Sequence, residues 1–184
     1  DHTWALILAL ARKIIPADAS TKAGRWEGTK FIGIELSSKT IGILGLGTIG
    51  QRVARRARGF EMNILYYDKR RNEALEKEIG VIYVDLQRLL RESDILTIHA
   101  ALTSETRRVI GARELQMMKK TALLINTARG EIVDEKVLIQ ALREGWIAGA
   151  ALDVFEREPP KELLRMGNVV LTPHIAPYTI EALR

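Results

Sequence analysis

At 184 residues, with 28 Lys and Arg against 23 Asp and Glu, the chain carries a formal charge of +5 and has the length for one domain with a sizeable core. It has no cysteine, which excludes disulfides, thiolate chemistry and cysteine-ligated zinc, and its three histidines are too scattered in sequence to suggest a metal site. No apolar run nears the ~18 residues of a membrane span and no signal peptide is evident, so the expectation is a soluble cytoplasmic protein, cut or processed at Asp1 from something longer.

Residues 1–13 read as a helix with almost no polar face, closed by Arg12 and Lys13, and therefore buried between layers, domains or subunits. Residues 16–33 show no sustained period. They read as an arm carrying Trp26 and Phe31, aromatics on a polar loop that either meet a partner or dock on the domain's own surface.

From Lys39 onward the pattern alternates regularly. Strands are predicted at Thr40–Leu44, Ile64–Tyr67, Val81–Tyr83, Ile95–His99, Ala122–Asn126, Ala148–Val154 and Val169–Leu171. Helices are predicted at Ile49–Arg58, Asn72–Glu78, Leu86–Arg91, Ala112–Lys119 and Glu135–Arg143. Strands separated by such helices pair in parallel through right-handed crossovers. The fold class is therefore α/β, a doubly wound parallel sheet of the Rossmann type, with ligands in the crevice at the carboxyl ends of the strands.

The first strand breaks into Gly45-Leu-Gly47-Thr-Ile-Gly50 and resumes as a helix. Gly45 permits the tight turn, Gly47 lets a pyrophosphate approach the backbone, and Gly50 lets the helix pack closely on the strand. The free N–H groups and positive end of that helix then face the phosphates. Asp68 ends the next strand, 18 residues past Gly50 and near the ~20 expected of a ribose-binding carboxylate. These features predict a dinucleotide site. Arg52, Arg55, Arg56, Arg58, Lys69, Arg70 and Arg71 cluster around it. Without a reading helix or stacking aromatics they suit a solvated face or a lure for a phosphate-bearing cofactor better than nucleic acid.

The remaining candidates sit at strand ends: His99, Thr127–Arg129, Asp153 to Glu158, and His174. Arg129 directly follows an apolar strand and should project into the crevice, where a guanidinium can grip a carboxylate and polarise an adjacent carbonyl. Its alternative is a salt bridge to Glu131 or Asp134. His174 is able to exchange a proton near neutral pH, and a carboxylate partner would orient it and favour the imidazolium. Ordinary packing is the alternative for His174, and more so for His2 and His99. Taken alone, Glu156 and Glu158 read as solvated loop charges.

Several long motifs occur in order: Gly-Leu-Gly-Thr-Ile-Gly50, Leu96-Thr-Ile-His-Ala-Ala-Leu-Thr-Ser-Glu-Thr106, Leu124-Ile-Asn-Thr-Ala-Arg-Gly-Glu-Ile-Val-Asp134, Gly149-Ala-Ala-Leu-Asp-Val-Phe-Glu-Arg-Glu-Pro159 and Leu171-Thr-Pro-His-Ile-Ala176. On these, from about Ala5 to Arg184, the chain resembles the NAD-binding domain of D-isomer-specific 2-hydroxyacid dehydrogenases. The resemblance implies that Arg129 grips the carboxylate and keto oxygen of a small 2-oxo acid. His174 would protonate that oxygen as hydride arrives from NADH, with Glu158 as its partner; Glu156 and Arg157 fall at variable family positions. Gly45, Gly47, Thr48, Ile49 and Gly50 would meet the pyrophosphate and Asp68 the adenosine ribose, with His99 and Ala100 also lining the cofactor site. Thr127, Ala128 and Arg129 would line the nicotinamide side, Asp153 would hold the carboxamide, and His174 and Ala176 would lie beside the ring. No metal is implied. Asp68 favours NAD over NADP, a preference that Arg70 and Arg71 would soften.

The resemblance also implies a homodimer formed through residues 1–14 and 16–33, with the Rossmann core over 39–184. The family's substrate domain has no counterpart in this chain, which implies cofactor binding with little or no turnover by the chain alone. Ala101 stands where the family usually has proline. A non-catalytic NAD(H)-sensing dimerisation module, of the corepressor kind, is the other function these motifs would fit.

Overall fold

Parallel pairing joins all the strands, as the strand–helix alternation demands. The computed structural model describes residues 1–182; the last two positions of the expected core lie outside the described residues. In chain order the strands are β1 (Thr40–Leu44), β2 (Asn63–Tyr67), β3 (Ile82–Tyr83), β4 (Ile95–Ile98), β5 (Leu123–Asn126), β6 (Gly149–Leu152) and β7 (Val169–Leu171). They form one sheet in the order β3-β2-β1-β4-β5-β6-β7. The order reverses between β1 and β4, the switch point where a crevice opens beyond the strand ends.

The helices are α1 (His2–Ala11), α2 (Ile14–Lys22), α3 (Thr48–Ala57), α4 (Glu73–Ile79), α5 (Leu86–Glu92), α6 (Ala112–Met117) and α7 (Glu135–Glu144). Alternate strand residues feed opposite cores, as the two-residue side-chain period requires. Ile41, Ile43, Ile125 and Ala151 pack with Trp4, Leu6 and Ile7 of α1 and with Val53 and Ala54 of α3. Leu96, Ile98, Leu124 and Leu152 pack with Leu89 of α5, Leu115 of α6 and Leu138 of α7. Both faces are covered, which explains the nearly continuous apolar runs of the central strands.

Most predicted element ends shift by only a residue or two. The larger difference is α2, a helix inside the stretch predicted to be irregular. It is exposed almost all round, with only Ser20 buried, so it has no apolar period to read. Lys13 breaks the chain in the left-handed region at φ 53°, and Pro16 then falls in the first helical turn, where its missing N–H is not needed. The preceding α1 lies across β5, β6 and β7 with Trp4, Leu6 and Ile7 buried, while Ala5 is exposed and Leu8, Ala9 and Leu10 are half-buried. Trp26 is 94% exposed and so does not dock on the domain's own surface. Among the described residues no helix is long and apolar enough to cross a membrane.

Candidate active site

The turn after β1 depends on close approaches that a side chain would block. Gly45 has φ 93°, and a Cβ there would lie 2.5 Å from the Ala100 nitrogen. A Cβ on Gly50 would lie 2.2 Å from the Gly45 carbonyl oxygen, so α3 is pressed onto the turn it follows. Gly47 is the N-cap of α3, supplies no side-chain cap and opens on free space. No acidic residue stands in the first helical turn, where Thr48 and Ile49 are exposed. The N–H groups there and the positive helix end are thus left for an anion. Asp68 is held beside them: Leu46 N donates to one carboxylate oxygen at 2.7 Å and Arg70 N to the other at 3.2 Å.

A cavity of about 400 Å³ opens here, lined by Gly47, Asp68, His99, Ala100 and Thr103 among others. Lys69 and Glu105, both on its wall, form an ion pair. Arg71 is bound to Glu76 at 2.7 Å, so among the described residues Arg70 alone of the Lys69–Arg71 run has no acidic partner. Only Arg70 is therefore free to offset Asp68. The His99 ring nitrogen Nε2 lies 2.9 Å from Thr97 Oγ1, and burial pushes the imidazole down to about 4, which keeps it neutral. Beyond it, Thr106 Oγ1 donates to the Ala101 carbonyl at 2.7 Å and accepts from Thr103 N at 2.7 Å. Those bonds hold the loop where the family motif would have proline.

On the other side of the switch point, β5 ends in Asn126, which is buried. Its Nδ2 donates to the Arg129 carbonyl at 2.9 Å and its Oδ1 accepts from Ala128 N at 3.0 Å. One amide therefore closes Thr127, Ala128 and Arg129 into a fixed turn. The sequence assigns Asn126 no role, although an Asn ending a strand before a polar turn is a signal for such closure. Gly130 packs directly on the Phe155 backbone, bringing Arg129 beside the segment that carries Glu158. The Arg129 guanidinium is exposed and donates to the Ala128 carbonyl at 2.6 Å. Among the described residues it pairs with neither Glu131 nor Asp134. Arg108 instead takes Asp134 at 3.9 Å and Glu156 at 3.0 Å.

Asp153, at the end of β6, is fully buried. Oδ1 accepts from Thr172 Oγ1 at 2.6 Å and Ile175 N at 2.9 Å, and Oδ2 accepts from Ala176 N at 2.9 Å. Burial opposes its ionisation, but these donors outweigh it and hold the carboxyl below its usual range. Asp153 thus fastens the loop on both sides of His174, and Oδ2 retains a lone pair for one further donor. His174 sits at φ 57° with its N–H donated to the Thr172 carbonyl at 3.1 Å. Arg129, Asp153, Glu158 and His174 all line one cavity of about 440 Å³. Glu158 and His174 face that cavity but do not form an ion pair with each other.

A sequence model of the D-isomer specific 2-hydroxyacid dehydrogenase NAD binding domain matches residues 4–176. The chain belongs to this family. Glyoxylate reductase of Thermococcus litoralis is 51% identical over 191 residues, covering 99% of this chain and 58% of that protein. Glyoxylate reductase of Aeropyrum pernix is 52% identical, covering 98% of this chain and 57% of that protein. Among solved structures, D-lactate dehydrogenase from Aquifex aeolicus complexed with NAD and lactic acid matches with TM-score 0.91 and 35% identity, covering 99% of this chain and 60% of that one. The chain therefore spans a little over half the length of the relatives it matches.

The residues present fit NAD. Gly47 and the open first turn of α3 offer a pyrophosphate the backbone donors it needs, and Asp68 offers a ribose two acceptor oxygens. Thr127 and Ala128 stand at the end of β5 and Ala176 in the His174 loop, across the switch point from that turn. Bound NAD supplies the hydride acceptor or donor. The chain places the Arg129 guanidinium and the His174 imidazole on one cavity.

Proposed function

We propose that the protein carrying this chain transfers a hydride reversibly between NAD(H) and a small 2-oxo or D-2-hydroxy acid, with glyoxylate the first substrate to test. Arg129 carries this reading: its guanidinium has no acidic partner among the described residues and faces the same cavity as His174. A free guanidinium there holds a substrate carboxylate in two parallel hydrogen bonds and polarises the adjacent keto group. His174 gives its proton to the keto oxygen during reduction and takes it back during oxidation. Glu158, on the same cavity, is the carboxylate available to orient the imidazole. Relatives named glyoxylate reductase support the substrate class.

In the same reading, sequence outside this chain supplies the other wall of the cleft, so that the 184 residues alone bind NAD(H) with little or no turnover. A second copy pairs through residues 1–14 and 16–33, which is supported by the exposure of Ile14, Ile15, Trp26 and Ile32. A cytoplasmic setting fits a reaction fed by NADH.

The test is NADH oxidation by the complete protein with glyoxylate, hydroxypyruvate and pyruvate, repeated with Arg129→Lys. A point-charge ammonium cannot reproduce the two-pronged grip, so kcat/KM should fall about a hundredfold while NADH affinity holds. NADH binding without oxidation by any of the three acids would overturn the proposal.

A further inference from the structure

The first turn of α1 reaches both loops that carry the reacting groups. His2 Nε2 lies 3.1 Å from Thr172 Oγ1 and 3.2 Å from Asp153 Oδ1. The next residue, Thr3, has its hydroxyl 3.2 Å from that of Thr127. Thr172 and Asp153 fasten the loop of His174, and Thr127 opens the turn of Arg129.

The chemistry of these contacts gives them direction. The Thr172 hydroxyl already donates to Asp153 at 2.6 Å, so only its lone pairs are left for His2. An Nε2–H on His2 completes a chain from imidazole to hydroxyl to carboxylate. Asp153 is fully buried, and a buried carboxylate is held in place by the donors that satisfy it. Thr3 is likewise buried, at 5% exposure. The helix that presents both residues cannot drift, because Trp4, Leu6 and Ile7 lock it into the sheet core.

We propose that His2 and Thr3 are positioning residues that set the spacing between the His174 loop and the Arg129 turn, with α1 as the rigid reference between them. His2 steadies the histidine side and Thr3 the arginine side; neither touches the substrate. This builds on Arg129 and His174 acting as clamp and acid. Its physical basis is that reacting groups displaced by about 1 Å lose up to about a hundredfold in rate even when binding survives.

The test uses the complete protein and four variants: His2→Ala, Thr3→Val, and the conservative His2→Gln and Thr3→Ser, which keep a polar group within reach. NADH affinity and binding stoichiometry are measured by fluorescence titration, and kcat and KM with glyoxylate. His2→Ala and Thr3→Val should lower kcat about tenfold, with NADH affinity and stoichiometry held within about twofold. The conservative variants should recover to within about threefold of wild type. Unchanged kcat in His2→Ala and Thr3→Val overturns the proposal, as does equal loss in the conservative pair or a loss matched by fewer NADH-binding sites. Amide exchange in the NAD-bound state provides a readout independent of turnover: His2→Ala should speed exchange at Ile175 and Ala176. If wild type reduces no 2-oxo acid, the function proposed above fails by itself, and equal exchange in the two proteins is then the result that overturns the positioning role.

Discussion

A Cβ on Gly130 would stand 2.1 Å from the carbonyl carbon of Phe155 and 2.4 Å from its oxygen, so the two loops meet backbone to backbone. A methyl group has no flexible side chain to displace there; it must push the Arg129 turn away from the segment bearing Glu158. Gly130→Ala should cost about 1–3 kcal/mol, the usual range for overpacking. Thermal unfolding should show the lower midpoint, and turnover should fall more than NADH affinity does. An unchanged midpoint would mean that the loops part without cost.

Cofactor choice should respond to a residue that touches no cofactor. Glu76 holds Arg71 at 2.7 Å and accepts from the buried Tyr66 hydroxyl at 2.7 Å. The Arg71 and Tyr66 hydrogen bonds hold its carboxyl down at about 2, so it stays charged at neutral pH and keeps Arg71 occupied. Glu76→Gln releases the guanidinium next to Arg70, where a ribose 2′-phosphate would meet it. An exposed charge pair interacts weakly, so NADPH affinity should improve by no more than about fivefold with NADH unchanged. Parallel titration of the two cofactors decides it. Equal affinities before and after would show that Arg71 does not reach the phosphate.

Asp94 makes stability depend on pH in acid. Burial works against its ionisation, but Lys119 Nζ at 2.8 Å and Thr40 N at 2.8 Å outweigh that and hold the carboxyl below its usual range. A carboxylate depressed in the folded state stabilises fully above its unfolded pKa of about 3.9, and loses that contribution as pH falls through the folded value. Asp94→Asn should therefore be less stable than wild type by about 1 kcal/mol at neutral pH, a charge-assisted bond discounted for partial exposure. The gap should close below about pH 4. Denaturant unfolding at several pH values tests this, and a gap that persists unchanged into strong acid would refute it.

What the sequence revealed followed from its periodicities. The seven strands, the doubly wound sheet and the glycine turn were legible because buried parallel strands read as apolar runs and the turn needs glycine at fixed places. Helix α2 was not, since an exposed helix leaves no apolar stripe. Arg129, Asp153 and His174 were legible as strand-end residues, but Thr172 and His2 were not. Their importance lies in which distant groups they touch: His2 and Thr172 are 170 positions apart and 3.1 Å in space. A local pattern carries no trace of that proximity. Asp153 illustrates the same limit, because its position was visible while its three loop contacts were not.

The bare N-terminus of α3 has a thermodynamic consequence. Replacing a good N-cap by a poor one costs a helix about 0.5–2 kcal/mol, though glycine loses only a few tenths, and Gly47 leaves the first turn without a side-chain acceptor. A bound pyrophosphate fills that vacancy and also stabilises the fold by mass action, about 2.7 kcal/mol at a hundredfold excess over Kd. The amides of Thr48, Ile49 and Gly50 should then be the fastest-exchanging in α3 when the domain is empty and among the most slowed by NAD, so that hydrogen exchange at three consecutive residues reports occupancy.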